Sequence, residues 1–241
     1  MVKRRKGPDR RARIATVLAS AFLLATFARP DETPLPPQPA DVAMTAEAVP
    51  LDRADPARRR LGGLLFLEGW RLRSRDVRLG GISAMHVEGG QVLALSDAGS
   101  LFRFPVPRRA GALPLHISRV ARGPGSGRRK GDRDGESMAV AGGSVWVAWE
   151  GRNAVWRYRR SDWSPTAAAA PAAMDRWPSM RGPEAMARLA DGRFLIFGEG
   201  PDAEDGTTPL LLFAGDPAEA GTRTAALRYR PPRGFRPTDA A

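Results

Sequence analysis

A short apolar stretch, a glycine-bearing tight turn, an alternating stretch and an acid occur in that order three times along the chain, and a fourth copy begins near its end. Gly81-Ile82-Ser83-Ala84-Met85 leads to Gly89-Gly90, residues 91–96 and Asp97. Gly135-Glu136-Ser137-Met138-Ala139 leads to Gly142-Gly143, residues 144–149 and Glu150. Gly182-Pro183-Glu184-Ala185-Met186 leads to Asp191-Gly192, residues 193–198 and Glu199. Pro237-Thr238-Asp239 opens the fourth copy. The opening positions 83, 136, 184 and 239 are 53, 48 and 55 residues apart. A period near 50 with strand content is that of four-stranded propeller blades. The alternation has period two, which excludes helical repeats. The expected fold is therefore all-β, a β-propeller of about three and a half four-stranded blades.

Residues 101–106 and 115–120 supply the outer strands of the first blade. Residues 154–158 and a broken stretch near Trp163 supply those of the second, and residues 210–213 and 224–229 those of the third. Residues 122–133 and 164–181, the latter including the run TAAAAPAAM, read as loops by composition. High Pro (22) and Gly (26) favour many turns over long helices.

Half of the net charge of +12 sits in residues 1–13, where seven basic residues oppose Asp9. An uncharged apolar run of 15 residues, 14–28, follows. It is short for a membrane span, which needs about 20 residues, and it fits the apolar core of an export signal. Residues 1–28 are thus expected to be a signal peptide, cleaved after Ala28, or an uncleaved signal anchor. The adjacent Arg10-Arg11 points toward twin-arginine export without the rest of that pattern. Residues 29–60 read as a Pro-rich linker. The domain is expected to span residues 61–241, with a first strand in residues 61–70. The protein is expected to be exported, periplasmic or secreted, with membrane contact only through an uncleaved signal. Export, and the loss of half the charge with the signal, argue against nucleic acid as a partner. The absence of Cys excludes disulfides and thiolate metal sites.

In a propeller, equivalent positions of successive blades lie on a ring about the axis. Asp97, Glu136, Glu150, Glu184, Glu199 and Asp239 would then converge on one channel mouth. Carboxylates brought together raise one another's pKa unless a cation compensates. Calcium suits such a site, because it takes six to eight hard oxygen ligands in flexible geometry. Acids at strand ends also cap turns or pair with Arg, and the sequence leaves both readings open. Asp132, Asp134 and Glu136 imitate the start of an EF-hand loop, but position 12 is Gly143 where Glu is needed. His86 and His116, the only histidines, have no partner at metal spacing and read as structural. No Gly-x-Ser-x-Gly elbow is present. Gly123, Gly125 and Gly127 lack the Lys-Ser/Thr of a phosphate loop. They read as a flexible loop carrying Arg128, Arg129 and Lys130. The tryptophans, Trp146, Trp149 and Trp156 among them, read as blade packing.

The stretches GGISAM…LALSDAG, DRDGESMAV…VWVAWEG, GPEAMARLADGRFLIFGEG and GFRPTDAA resemble successive signatures of the phytase-like family, "esterase-like activity of phytase". The resemblance covers residues 61–241. It implies a β-propeller fold, an export signal and hydrolysis of phosphate or carboxylic esters. Taken with the acid ring, it implies a calcium-dependent hydrolase acting on a small anionic ester. Members continue past the last motif, so the chain is expected to be a fragment or a truncated product with an incomplete ring. The alternative reading is a non-catalytic propeller binding module or an inactive fragment.

Overall fold

The glycine turns set the strands. In the computed structural model, which describes residues 39–125, 132–178, 181–200 and 205–240, Gly89 and Gly90 both have positive φ (57° and 76°). That is the backbone a two-residue hairpin turn needs. It joins β5 (Ile82–Glu88) to β6 (Gln91–Ser96), with Glu88 opposite Gln91. A two-residue turn in which Gly142 has positive φ (54°) joins β9 (Gly135–Ala141) to β10 (Ser144–Trp149). Gly192 (φ 89°) lies in the turn between β13 (Pro183–Arg188) and β14 (Phe194–Gly198). All three expected hairpins are present.

Each hairpin extends outward into an antiparallel sheet. The second sheet has the order β12-β11-β10-β9, with β11 at Ala154–Arg159 and β12 at Pro165–Ala169. The third has the order β13-β14-β15-β16, with β15 at Thr208–Phe213 and β16 at Thr224–Tyr229. The first sheet holds six strands, β4-β1-β8-β7-β6-β5. There β7 (Ser100–Pro105) and β8 (Gly111–Arg119) follow the hairpin, and β1 (Ala40–Ala48) and β4 (Trp70–Ser74) add to the outer edge. A small hairpin, β2 (Arg60–Leu61) with β3 (Leu64–Leu65), stands apart. The innermost strands β5, β9 and β13 lie side by side. The architecture is all-β, built on four-stranded antiparallel sheets, and consistent with consecutive blades.

Alternation places one face of each hairpin in an inter-sheet core. Leu95, Leu101, Met138, Val145, Val147, Trp149 and Tyr158 fill the space between the first two sheets. Trp146, Val155, Met186, Phe194, Ile196, Leu211 and Phe213 fill that between the second and third. Trp146 packs on Phe194 with ring centroids 5.1 Å apart. Burying each such side chain stabilises the fold by about 1.5–3 kcal/mol. The Ser137 hydroxyl donates to the Pro183 carbonyl (2.9 Å), tying β9 to β13. Asp216 accepts from Trp146 Nε1 (2.8 Å) and pairs with Arg157.

Four expectations change. The stretch 29–60 is not all linker, because Ala40–Ala48 forms β1 and pairs with both β8 and β4. Residues 61–70 do not form a first strand. Leu61, Leu64, Leu65 and Leu67 are exposed, and the long strand begins only at Trp70. Within 164–181, residues Pro165–Ala169 form the edge strand β12 rather than a loop. Residues 230–240 form no strand, so Asp239 lies on a tail and not on an opening strand. Residues 1–28 and the basic trio 128–130 lie outside the described residues.

Candidate metal centre

Antiparallel pairing brings the start of each inner strand beside the end of the next strand. Gly135 faces Trp149, Pro183 faces Gly198 and Ile82 faces Ser96. The register slips by one residue at the same place in each hairpin. Glu136 is skipped between Gly135 and Ser137, Glu184 between Pro183 and Ala185, and Ser83 between Ile82 and Ala84. These are β-bulges, which twist a strand locally and re-aim the side chain they carry. Two of the three bulged residues are glutamates. The acids after the second strands, Glu150 and Glu199, follow the paired positions Trp149 and Gly198 directly.

The result is two overlapping triads. Carboxylate oxygens of Asp134, Glu136 and Glu150 lie within 4.8 Å of one another, and so do those of Glu150, Glu184 and Glu199. Glu150 belongs to both. Half-burial, a hydrogen bond with Asp134 and repulsion from Asp134, Glu184 and Glu150 push the Glu136 carboxyl from its ordinary 4.5 up to about 8. Half-burial and the charges of Glu199 and Glu150 push Glu184 up to about 7. Glu150 is also raised, chiefly by desolvation, although the Gly182 N–H donates to its Oε1 (3.3 Å). Gly182 is there because nothing larger fits: a Cβ would stand 2.8 Å from the Glu150 Cα.

Compensating charge is sparse. Arg236 donates to Glu199 (3.2 Å), and Glu136 and Glu184 form no ion pair with a described residue. The turn-capping and ion-pair reading thus describes Glu150 and Glu199 in part, and leaves Glu136 and Glu184 unexplained. The donor set is all carboxylate, crowded and half-buried, and the pKa values of Glu136, Glu150 and Glu184 are raised. That chemistry fits a hard divalent cation, with no nitrogen or sulfur ligand to favour a softer one.

Asp97 and Asp239 belong to neither triad. They line an adjoining open cleft of about 510 Å³ together with Glu136, Glu184 and Thr238. Gly81 (φ 57°) lets Asp97 come close, since a Cβ there would lie 2.4 Å from Asp97 Oδ1. Asp134 is the site residue that the repeat pattern misses. Its counterparts two residues before Ser83 and Glu184 are Gly81 and Gly182, so the recurrence hides it. His116 sits elsewhere, paired with Asp41 (2.7 Å). Among the described residues no helix is long and apolar enough to cross a membrane.

A family model described as "Phytase-like: Esterase-like activity of phytase" matches residues 77–241, more than half of the chain. No curated protein matches it.

Proposed function

The chain belongs to the phytase-like family, and on that premise we propose that it is an exported propeller protein whose acid end binds calcium and hydrolyses a small anionic phosphate or carboxylic ester. One observation carries the metal reading: two carboxylate triads share Glu150, three of their carboxyls are raised, and Glu136 and Glu184 form no ion pair with a described residue. Asp134, Glu136, Glu150, Glu184 and Glu199 would hold the ion, with Asp97 and Asp239 facing it across the cleft. A bound divalent cation would polarise a phosphoryl or carbonyl oxygen and lower the pKa of an attacking water.

The protein's own groups then have definite tasks. Without a cation, Glu136 keeps a proton at neutral pH and shares a hydrogen bond with Asp134. Loading the site releases that proton, so binding strengthens as pH rises through 8. The carboxylates alone would repel an anionic ester, and neutralising them makes the cleft compatible with such a substrate. The β-bulges hold Glu136 and Glu184 on the cleft wall without relying on loop order.

Calcium titration of the full chain by calorimetry, followed by an assay of phosphate release from an aryl phosphate and of acid release from an aryl ester, tests the reading. Saturable binding with calcium-dependent turnover of either ester supports it. Binding without turnover leaves a calcium-binding module, and no binding removes the metal and the mechanism together.

A further inference from the structure

The hairpin ends of the first two sheets, at the far end of the strands from the carboxylates, enclose a second open cleft of about 510 Å³ lined by His86, Glu88, Gln91, Arg103, Gly143 and Arg160, with Ser161 beside Arg160. We propose that this cleft is a binding site for a small oxyanion, phosphate or a compound carrying a phosphate group.

The strand register assembles it. His86 faces Leu93, Leu93 faces Arg103 and Arg103 faces His116 across β5, β6, β7 and β8. Cross-strand partners share a face, so one row of the first sheet carries an imidazole and a guanidinium at the cleft. From the second sheet, Arg160 follows the end of β11, where its N–H donates to the Gly143 carbonyl (2.8 Å). Its guanidinium pairs with Glu88 at 2.5 Å. Among the described residues Glu88 is the only carboxylate lining the cleft, and it pairs with Arg160. Arg103 is exposed and forms no hydrogen bond or ion pair with a described residue. His86 Nε2 is buried without a hydrogen-bond partner, so the wall beside Arg103 holds a polar atom with its capacity unused. Gln91 and Ser161 add neutral donors at the rim.

Two guanidiniums, one already held in place by Glu88, beside an imidazole whose Nε2 has no hydrogen-bond partner among the described residues, match the charge and donor needs of a phosphate better than those of a cation or an apolar ligand. A guanidinium presents a planar fork that bonds two phosphate oxygens at once. The proposal stands apart from the acid end, and it does not require the protein to be a hydrolase.

Titration of the full chain with inorganic phosphate, in metal-free buffer at low ionic strength, tests it. Metal-free conditions keep phosphate from attaching through calcium at the carboxylates. Saturable binding is expected, weakened about tenfold by Arg103→Ala and abolished by Arg103→Glu. Far-ultraviolet circular dichroism and the melting temperature of both variants should equal those of the wild type, which confirms that they fold. Only two histidines are present, so the His86 imidazole signals, assigned with His86→Gln, should move during the titration. Acetate at equal concentration distinguishes a phosphate site from a general carboxylate site and should bind more weakly. Absence of saturable binding, or phosphate affinity unchanged in Arg103→Glu, would overturn the proposal.

Discussion

At one end of β5, β9 and β13 four carboxyls gather around that of Glu150, while at the other, tight glycine turns leave Arg103 and Arg160 beside the carboxylate of Glu88. The same strands frame both ends, and the difference lies in local backbone. At the hairpin ends the chain turns with positive φ and ordinary register, so side chains alternate and the charges spread out. At the acid ends each inner strand bulges, and the bulged residue leaves the alternation to face its neighbours. Repetition of that bulge, more than the number of acids, makes a cluster from residues about 50 positions apart.

The sharpest way to break the contrast is at the residue that both triads share. Glu150→Gln keeps the shape and removes a charge from both groups. It should weaken calcium binding about a hundredfold, more than Glu136→Gln or Glu184→Gln, each of which touches fewer neighbours. Calorimetric titration of the three variants reads this order. Equal affinities in all three would mean that the triads do not act as one site.

Glycines separate the two ends next. A Cβ at Gly182 meets the Glu150 backbone at 2.8 Å, whereas one at Gly143 meets nothing within 4 Å. Gly182→Ala is therefore expected to destabilise the fold by about 1–3 kcal/mol and to weaken metal binding. Gly143→Ala should change stability by about 0.5 kcal/mol or less. Chemical denaturation measures both, and similar costs at the two positions would show that the close approach at Gly182 is not maintained in solution.

Much of this was legible in the sequence because it repeats. The three hairpins, and the convergence of Glu136, Glu150, Glu184 and Glu199, follow from spacing and period two. Asp134 was not, because the other two complete copies have glycine there. β1 was not, because its partner β8 lies about 70 residues away and ADVAMTAEA carries few β-branched or aromatic residues. β12 is an alanine run that becomes a strand only by pairing with β11, a tertiary effect that composition does not encode. The leucines of residues 61–67 mislead in the other direction, since they look like a core strand and stay exposed. The bulges are invisible to a period-two pattern, which treats a skipped residue as noise.

Titration probes the acid end alone. Glu136 and Glu184 have folded pKa values above the ordinary 4.5, at about 8 and about 7. The fold therefore favours their protonated forms. Stability from these groups is fully present below about pH 4.5, and it falls as pH rises toward 7–8. Half-burial and solvent screening reduce the loss to about 1–2 kcal/mol. Melting temperature in metal-free buffer should drop between pH 5 and pH 9, and calcium should restore it most at the alkaline end. A flat profile would show that the carboxyls separate in solution and titrate normally.

The smallest expected effect concerns the tail. Arg236 reaches Glu199 from residues 230–240, and its charge also lowers the Glu184 carboxyl against the forces that raise it. Its guanidinium is 60% exposed, so the pair itself contributes about 1 kcal/mol or less. Yet its charge would compete with a metal ion bound at the second triad. Arg236→Ala should leave the melting temperature almost unchanged and tighten calcium binding by about two- to fivefold. Because the pair is at the surface, the gain should shrink as salt rises from 10 mM toward 150 mM, where the screening length falls from about 30 Å to about 8 Å. Weaker calcium binding in Arg236→Ala would reverse the assignment. The guanidinium would then be holding Glu199 in place for the ion, and the tail would belong to the acid end as a support instead of a competitor.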